Sequence, residues 1–187
     1  MKFTEKFLGK KIMYLTVAGM RSESSKFAVS HILAYFVIIV FIAGFSGCSS
    51  NSPIDITQEE IDNLSASMDH ANSIFLDGTY YWDRGNFSKA REVYGDAATK
   101  YREVDYRARE MYSRTQNENL RKWLNLLSLA SENLALASEE LATASELAFN
   151  ESKKQNQDIN IYMKHIEKAK ECSNKAWEYF EESKKLQ

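Results

Sequence analysis

Cys48, His70, His165 and Cys172 are the cysteine and histidine groups beyond the first apolar run, side chains suited to a metal site or a covalent step. Such chemistry demands convergence: ligands at about 2.0–2.3 Å from one ion, or a base within hydrogen-bond reach of its nucleophile. Short sequence spacings usually announce it, and none is present. There is no H-x-x-E-H, E-x-x-H or C-x-x-C, no Gly-rich phosphate loop and no Gly-x-Ser-x-Gly elbow. Glu139-Glu140 and Glu181-Glu182 are sequence neighbours, which do not face each other on a helix, so they read as solvated faces. The two histidines read as surface or seam residues. The sequence predicts no catalytic residue, no metal and no cofactor, and a chain that is not an enzyme.

Cys48 stands apart because of what flanks it. Residues 32–47 form a run that is almost wholly apolar and carries no charge, and residues 49–55 are a short polar stretch. Sixteen residues fall short of the roughly 20 that cross a bilayer as a helix. Upstream, six cations (Lys2, Lys6, Lys10, Lys11, Arg21, Lys26) face only Glu5 and Glu23, a net charge of +4. Such an excess keeps the preceding end in the cytoplasm. Phe45-Ser46-Gly47-Cys48 resembles the lipobox of prokaryotic lipoproteins, with Phe45 where Leu or Val is usual. The resemblance implies cleavage before Cys48, lipid on its thiol, and a body held on the extracytoplasmic face of the cell membrane. An uncleaved signal anchor is the alternative. A leader counted from Met1 is long for a secretory signal, whose usual length is about 15–30 residues, so the start is expected at Met20.

Without residues 1–47 the chain keeps 18 Lys and Arg against 24 Asp and Glu, a net charge of −6. An acidic body excludes nucleic acid as partner, which calls for basic patches. It also argues against lying flat on anionic lipid. If Cys48 is lipidated, Cys172 is a lone thiol and no disulfide holds the fold; its place on a helical seam suits a buried small residue.

The elements that would position any site are all helical. Pro53 is the only proline, and residues 96–187 contain neither Gly nor Pro. Thr57-Gln58-Glu59-Glu60 is a capping box, with Ile56 and Ile61 placed for a hydrophobic staple. From there Ile61, Leu64, Met68, Ala71, Phe75, Gly78 and Trp82 recur in steps of three and four. Gly85-Asn86 ends that helix and caps a second, whose inward row runs Phe87, Ala90, Tyr94, Ala97, Tyr101 and Val104. Polar residues 113–119 mark a break, with Thr115-x-x-Glu118 as a further capping box. In the third helix Leu120, Leu127, Leu134 and Leu141 recur every seven residues, each followed at three by Trp123, Ala130, Ala137 or Ala144. That is a packing seam. Asp158 is placed to cap a fourth helix with the stripe Tyr162, Ile166, Ala169, Cys172, Ala176 and Phe180. The expected fold is all-α: four long helices as two antiparallel hairpins over residues 57–187, after a membrane-directed segment (1–47) and a polar tether (48–56).

The first hairpin resembles a tetratricopeptide repeat over residues 71–104. Gly78, Tyr81, Gly85, Phe87, Ala90, Tyr94 and Ala97 stand at that family's spacing. Small Gly78 and Ala90 let two helices touch, Gly85 permits a tight turn, and the aromatics fill the gap. Asp77 replaces an expected leucine, no proline closes the unit, and no second copy is legible. An unrelated four-helix bundle is the other reading. In tetratricopeptide domains the first helix of each pair lines the concave binding surface. The resemblance places that surface at Asn72, Phe75, Thr79, Trp82 and Asp83, although core burial of Phe75 and Trp82 competes with it.

Two functions fit. One is a membrane-tethered, non-catalytic module that holds a protein partner whose identity is not encoded in any motif. The other is a structural envelope protein that self-associates through the Leu/Ala seam.

Overall fold

The computed structural model describes residues 56–154 and 158–186. The leader, Cys48 and residues 48–55 of the tether lie outside the described residues. Among the described residues there are four α-helices and a final 3-10 turn, and no strand. The helices are α1 (Gln58–Asp83), α2 (Phe87–Arg114), α3 (Glu118–Glu151) and α4 (Asn160–Ser183). None of them is long and apolar enough to cross a membrane.

Each helix begins and ends where its residues make that cheap. At the start of α1, Thr57 Oγ1 accepts the Glu60 N–H at 3.2 Å and a Glu60 carboxylate oxygen accepts the Thr57 N–H at 2.9 Å. This is the expected capping box. The Thr57 N–H, and then the Arg114 guanidinium at 2.7 Å, hold the Glu60 carboxyl below the usual carboxylate range. The end of α1 is a Schellman motif: Gly85 at φ +71° donates to the Trp82 carbonyl, and Asn86 to the Tyr81 carbonyl. Asn86 then caps α2 through the Lys89 N–H at 3.3 Å.

The α2–α3 corner differs from expectation. Thr115 does not open α3; it closes α2, donating its N–H to the Met111 carbonyl, and is buried. Its hydroxyl accepts the Asn117 N–H at 3.2 Å, and Asn117 is the N-cap, accepting from Leu120 at 3.1 Å. Asn at this place satisfies an orphan donor as well as Thr does, and the burial of Thr115 leaves the cap to Asn117. At the start of α4 the Asp158 carboxylate takes the Asn160 N–H at 3.0 Å, one residue ahead of the formal cap, Ile159. The end of α3 is anchored by Glu151, whose buried carboxylate accepts the Asp158 N–H at 3.0 Å and meets the Lys154 ammonium at 2.5 Å.

Every helix presents a seam of alternating three- and four-residue steps, the pattern of left-handed packing at small crossing angles. All members of the α3 seam, Leu120 through Ala144, are buried. A second α3 row, Ser131, Ser138 and Ser145, is buried too, each hydroxyl donating to the carbonyl four residues back. Helix α3 therefore buries two faces, as a helix between two neighbours must. On α4 the register corrects the expectation. Ser173, not Cys172, continues the alternation Tyr162, Ile166, Ala169, Ala176, and Cys172 lies half-buried beside it. Burial raises the Cys172 thiol pKa, which favours its protonated form.

The helices pack in chain order, α1 on α2, α2 on α3 and α3 on α4, around one contiguous core. Arginines of α2 bind glutamates of α3, themselves spaced by sevens, across their shared edge. Arg109 reaches Glu132 at 3.3 Å, Arg102 pairs with Glu139, and Arg91 reaches Glu146 at 3.5 Å. By contrast α1 and α4 scarcely approach each other, except where the Trp82 ring meets Tyr162 edge-on at 6.0 Å.

Glycines on the two sides of the first hairpin give opposite expectations. A Cβ on Gly78 would lie 2.7 Å from the ring of fully buried Tyr94, which has nowhere to go. Gly78→Ala should therefore cost about 1–3 kcal/mol by overpacking. A Cβ on Gly95 meets nothing within 4 Å, so Gly95→Ala should stabilise by about 0.5–1 kcal/mol through helix propensity alone. Urea unfolding of the two variants checks this; stabilisation in both would mean that α1 and α2 do not touch at Gly78.

Candidate functional site

The residues assigned to a binding surface occupy the second half of α1, and the fold treats them unequally. Phe75 is 1 % exposed, its ring edge-on to Tyr94 at 5.5 Å and to Tyr101 at 6.4 Å. Thr79 is buried as well. Its hydroxyl donates to the Phe75 carbonyl at 3.3 Å and accepts the Tyr94 hydroxyl at 3.1 Å. Burial drives both tyrosine pKa values well upward, so both phenols stay neutral donors. Phe75 and Thr79 thus hold α1 to α2 and face no open groove. The reason is their helical phase, which matches that of Ala71 and Gly78 in the closest contact of the hairpin.

Asn72, Trp82 and Asp83 remain accessible in part. Asn72 is half-buried and accepts the Tyr101 hydroxyl at 2.8 Å, which fixes its carbonyl end and leaves its amide for other partners. Trp82 is half-buried between Phe87, 5.1 Å away at 68°, and Tyr162. Asp83 is exposed. Trp82 and Asp83 stand at the turn end of α1, where Trp82 meets the start of α4, and Asn72 lies about three turns back along the same helix. Aromatic rings held rigidly at one side and open at the other are the usual anchors of protein interfaces.

Tyr162 was legible only as a seam residue; its stacking on Trp82 joins the two ends of the helix row. His165 was read as a surface or seam residue, and Nδ1 lies 2.5 Å from a Glu140 carboxylate oxygen, with Lys168 3.6 Å from the other oxygen. Glu140 is therefore half-buried and paired rather than part of a solvated face. His70 is exposed on α1, on a different helix. Among the described residues no three His, Cys, Asp or Glu side chains are placed to hold a metal ion.

The arrangement offers hydrogen-bonding groups, carboxylates and ring edges. No family model matches the chain, and neither the curated proteins nor the solved structures contain a match to it.

Proposed function

We propose that the chain is an extracytoplasmic lipoprotein, tethered to the membrane through Cys48, whose helical domain is a non-catalytic protein-interaction module. The tether rests on the apolar run at residues 32–47, the lipobox-like Phe45-Ser46-Gly47-Cys48 and the polar stretch after it. The observation that carries the module is the fate of the Leu/Ala seam. Leu127, Ala130, Leu134, Ala137 and Leu141 are all at most 6 % exposed within one chain. A structural protein that self-associates through that seam would have to unpack α3 from its neighbours first. What stays available for recognition is the α1 edge with Asn72, Trp82 and Asp83, and the first hairpin keeps the tetratricopeptide-like spacing from Gly78 to Ala97.

Mass spectrometry of the membrane-extracted protein tests the tether. The expected result is a chain that begins at Cys48 and carries added acyl mass. A full-length chain with an unmodified Cys48 thiol would instead support the uncleaved anchor.

A further inference from the structure

Helix α1 carries six carboxylates and no Lys or Arg. Its two flanks differ. Glu60 and Ser67 lie on the α2 side, where Arg114 and Arg107 meet them at 2.7 and 3.1 Å. The opposite flank repeats every seven residues as Asp62, Asp69, Leu76 and Asp83. On that flank Asp62 and Asp69 are exposed and meet no cation among the described residues, Asp62 accepting only the Gln58 amide at 2.9 Å, while Leu76 is half-buried. Helix α4 shows the mirror pattern. One flank, with His165 and Lys168, reaches Glu140 of α3. The other repeats as Met163, Lys170, Trp177 and, just past the helix end, Lys184, whose ammonium lies 5.0 Å from the Trp177 ring centroid and pairs with Glu181 at 2.6 Å. These two flanks border the open side of the row, where α1 and α4 scarcely approach each other and the Trp82 ring meets Tyr162.

An acidic heptad flank and a cationic one, on helices that run antiparallel, are the two halves of the kind of edge that α2 and α3 already form with Arg–Glu pairs. We infer that the open side docks a second copy of this chain, with α1 of each protomer against α4 of the other. The inference rests on the reading of α1 as a recognition edge and names its partner. A two-fold axis parallel to the helices sets α1, α4 and their two counterparts in alternating directions around one centre, so every new contact joins an acidic flank to a cationic one. Leu76, Met163 and Trp177 supply the apolar part of the interface. The same axis puts both α1 starts at one end, where two tethers can enter one membrane. Closure of α1 on its own α4 would satisfy the same charges within one chain, and the test must separate the two.

Sedimentation of the full-length, detergent-extracted chain should give the mass of two protomers, with dissociation increasing as salt is raised. Asp62→Lys/Asp69→Lys should raise the dimer dissociation constant at least about tenfold, and so should Lys170→Glu/Lys184→Glu. All four positions are off the seams, so helicity by circular dichroism should hold. Mixing the two variants should restore a mixed dimer, because both of its intermolecular edges again join opposite charges. Closure within one chain predicts no such rescue. A single-protomer mass, or a dimer indifferent to the charge reversals, overturns the inference. Capture of a different protein through α1 by a monomeric chain would retain the recognition edge and discard the dimer; loss of neither dimer nor capture on reversal would discard both.

Discussion

Phe75→Ala is expected to lower the unfolding free energy by about 3–5 kcal/mol, as deletion of a buried ring does where neighbours cannot collapse into the gap. The gap would be hard to fill. Tyr94 and Tyr101 stand edge-on to the ring, and their hydroxyls are tied to Thr79 and Asn72. Moving either tyrosine inward would break a hydrogen bond in a buried site, which costs about 1–3 kcal/mol by itself. The expected signature is a large fall in the urea midpoint with little change in slope. The contrast with Trp82→Ala makes the experiment informative about function. Trp82 keeps one side open, so its loss should cost less stability and act mainly on whatever docks at the α1 edge. A Phe75→Ala protein that melts like the parent yet loses its partner would place Phe75 in a groove and refute the packing described above.

The helices were legible because their signals are local. Caps at Thr57 and Asn86, the Gly85 turn and the heptad rows each need only a few neighbouring residues to be read. The misread positions are those where the deciding interaction comes from elsewhere. Thr115 and Asn117 compete for one corner, and only the burial of Thr115 settles which of them caps α3. Cys172 and Ser173 are adjacent and both small; which one faces α3 depends on the phase of the buried row Ile166, Ala169 and Ala176. The serine row of α3 was missed because serine reads as a surface residue, yet bonding to the preceding turn hides its hydroxyl. The candidate site was legible as a stretch of α1, from a repeat-like spacing. Its division into buried Phe75 and Thr79 and open Asn72, Trp82 and Asp83 was not, since that depends on where α2 and α4 pass. The pairing of Trp82 with Tyr162, 80 positions apart, leaves no trace in either neighbourhood.

The α3 seam should show the same helix failing in two opposite ways. Leu134 is 6 % exposed and sits between Ala130 and Ala137, both fully buried. Leu134→Ala would leave three alanines in successive seam positions. A cost of about 2–5 kcal/mol is expected, toward the upper end if the Ala-lined cavity stays open. Ala137→Leu does the reverse. Ala137 is fully buried, so a leucine there must push α3 off its partner, at about 1–3 kcal/mol. Because the two positions are three residues apart on one face, their effects should not add. In the double variant Leu134→Ala/Ala137→Leu the new side chain can lean toward the vacated volume, and the loss should be smaller than the two single losses combined. Thermal unfolding of the three variants decides it. Strict additivity would mean that the two residues do not share a packing site, and unchanged melting in both singles would mean that the seam lies on the surface.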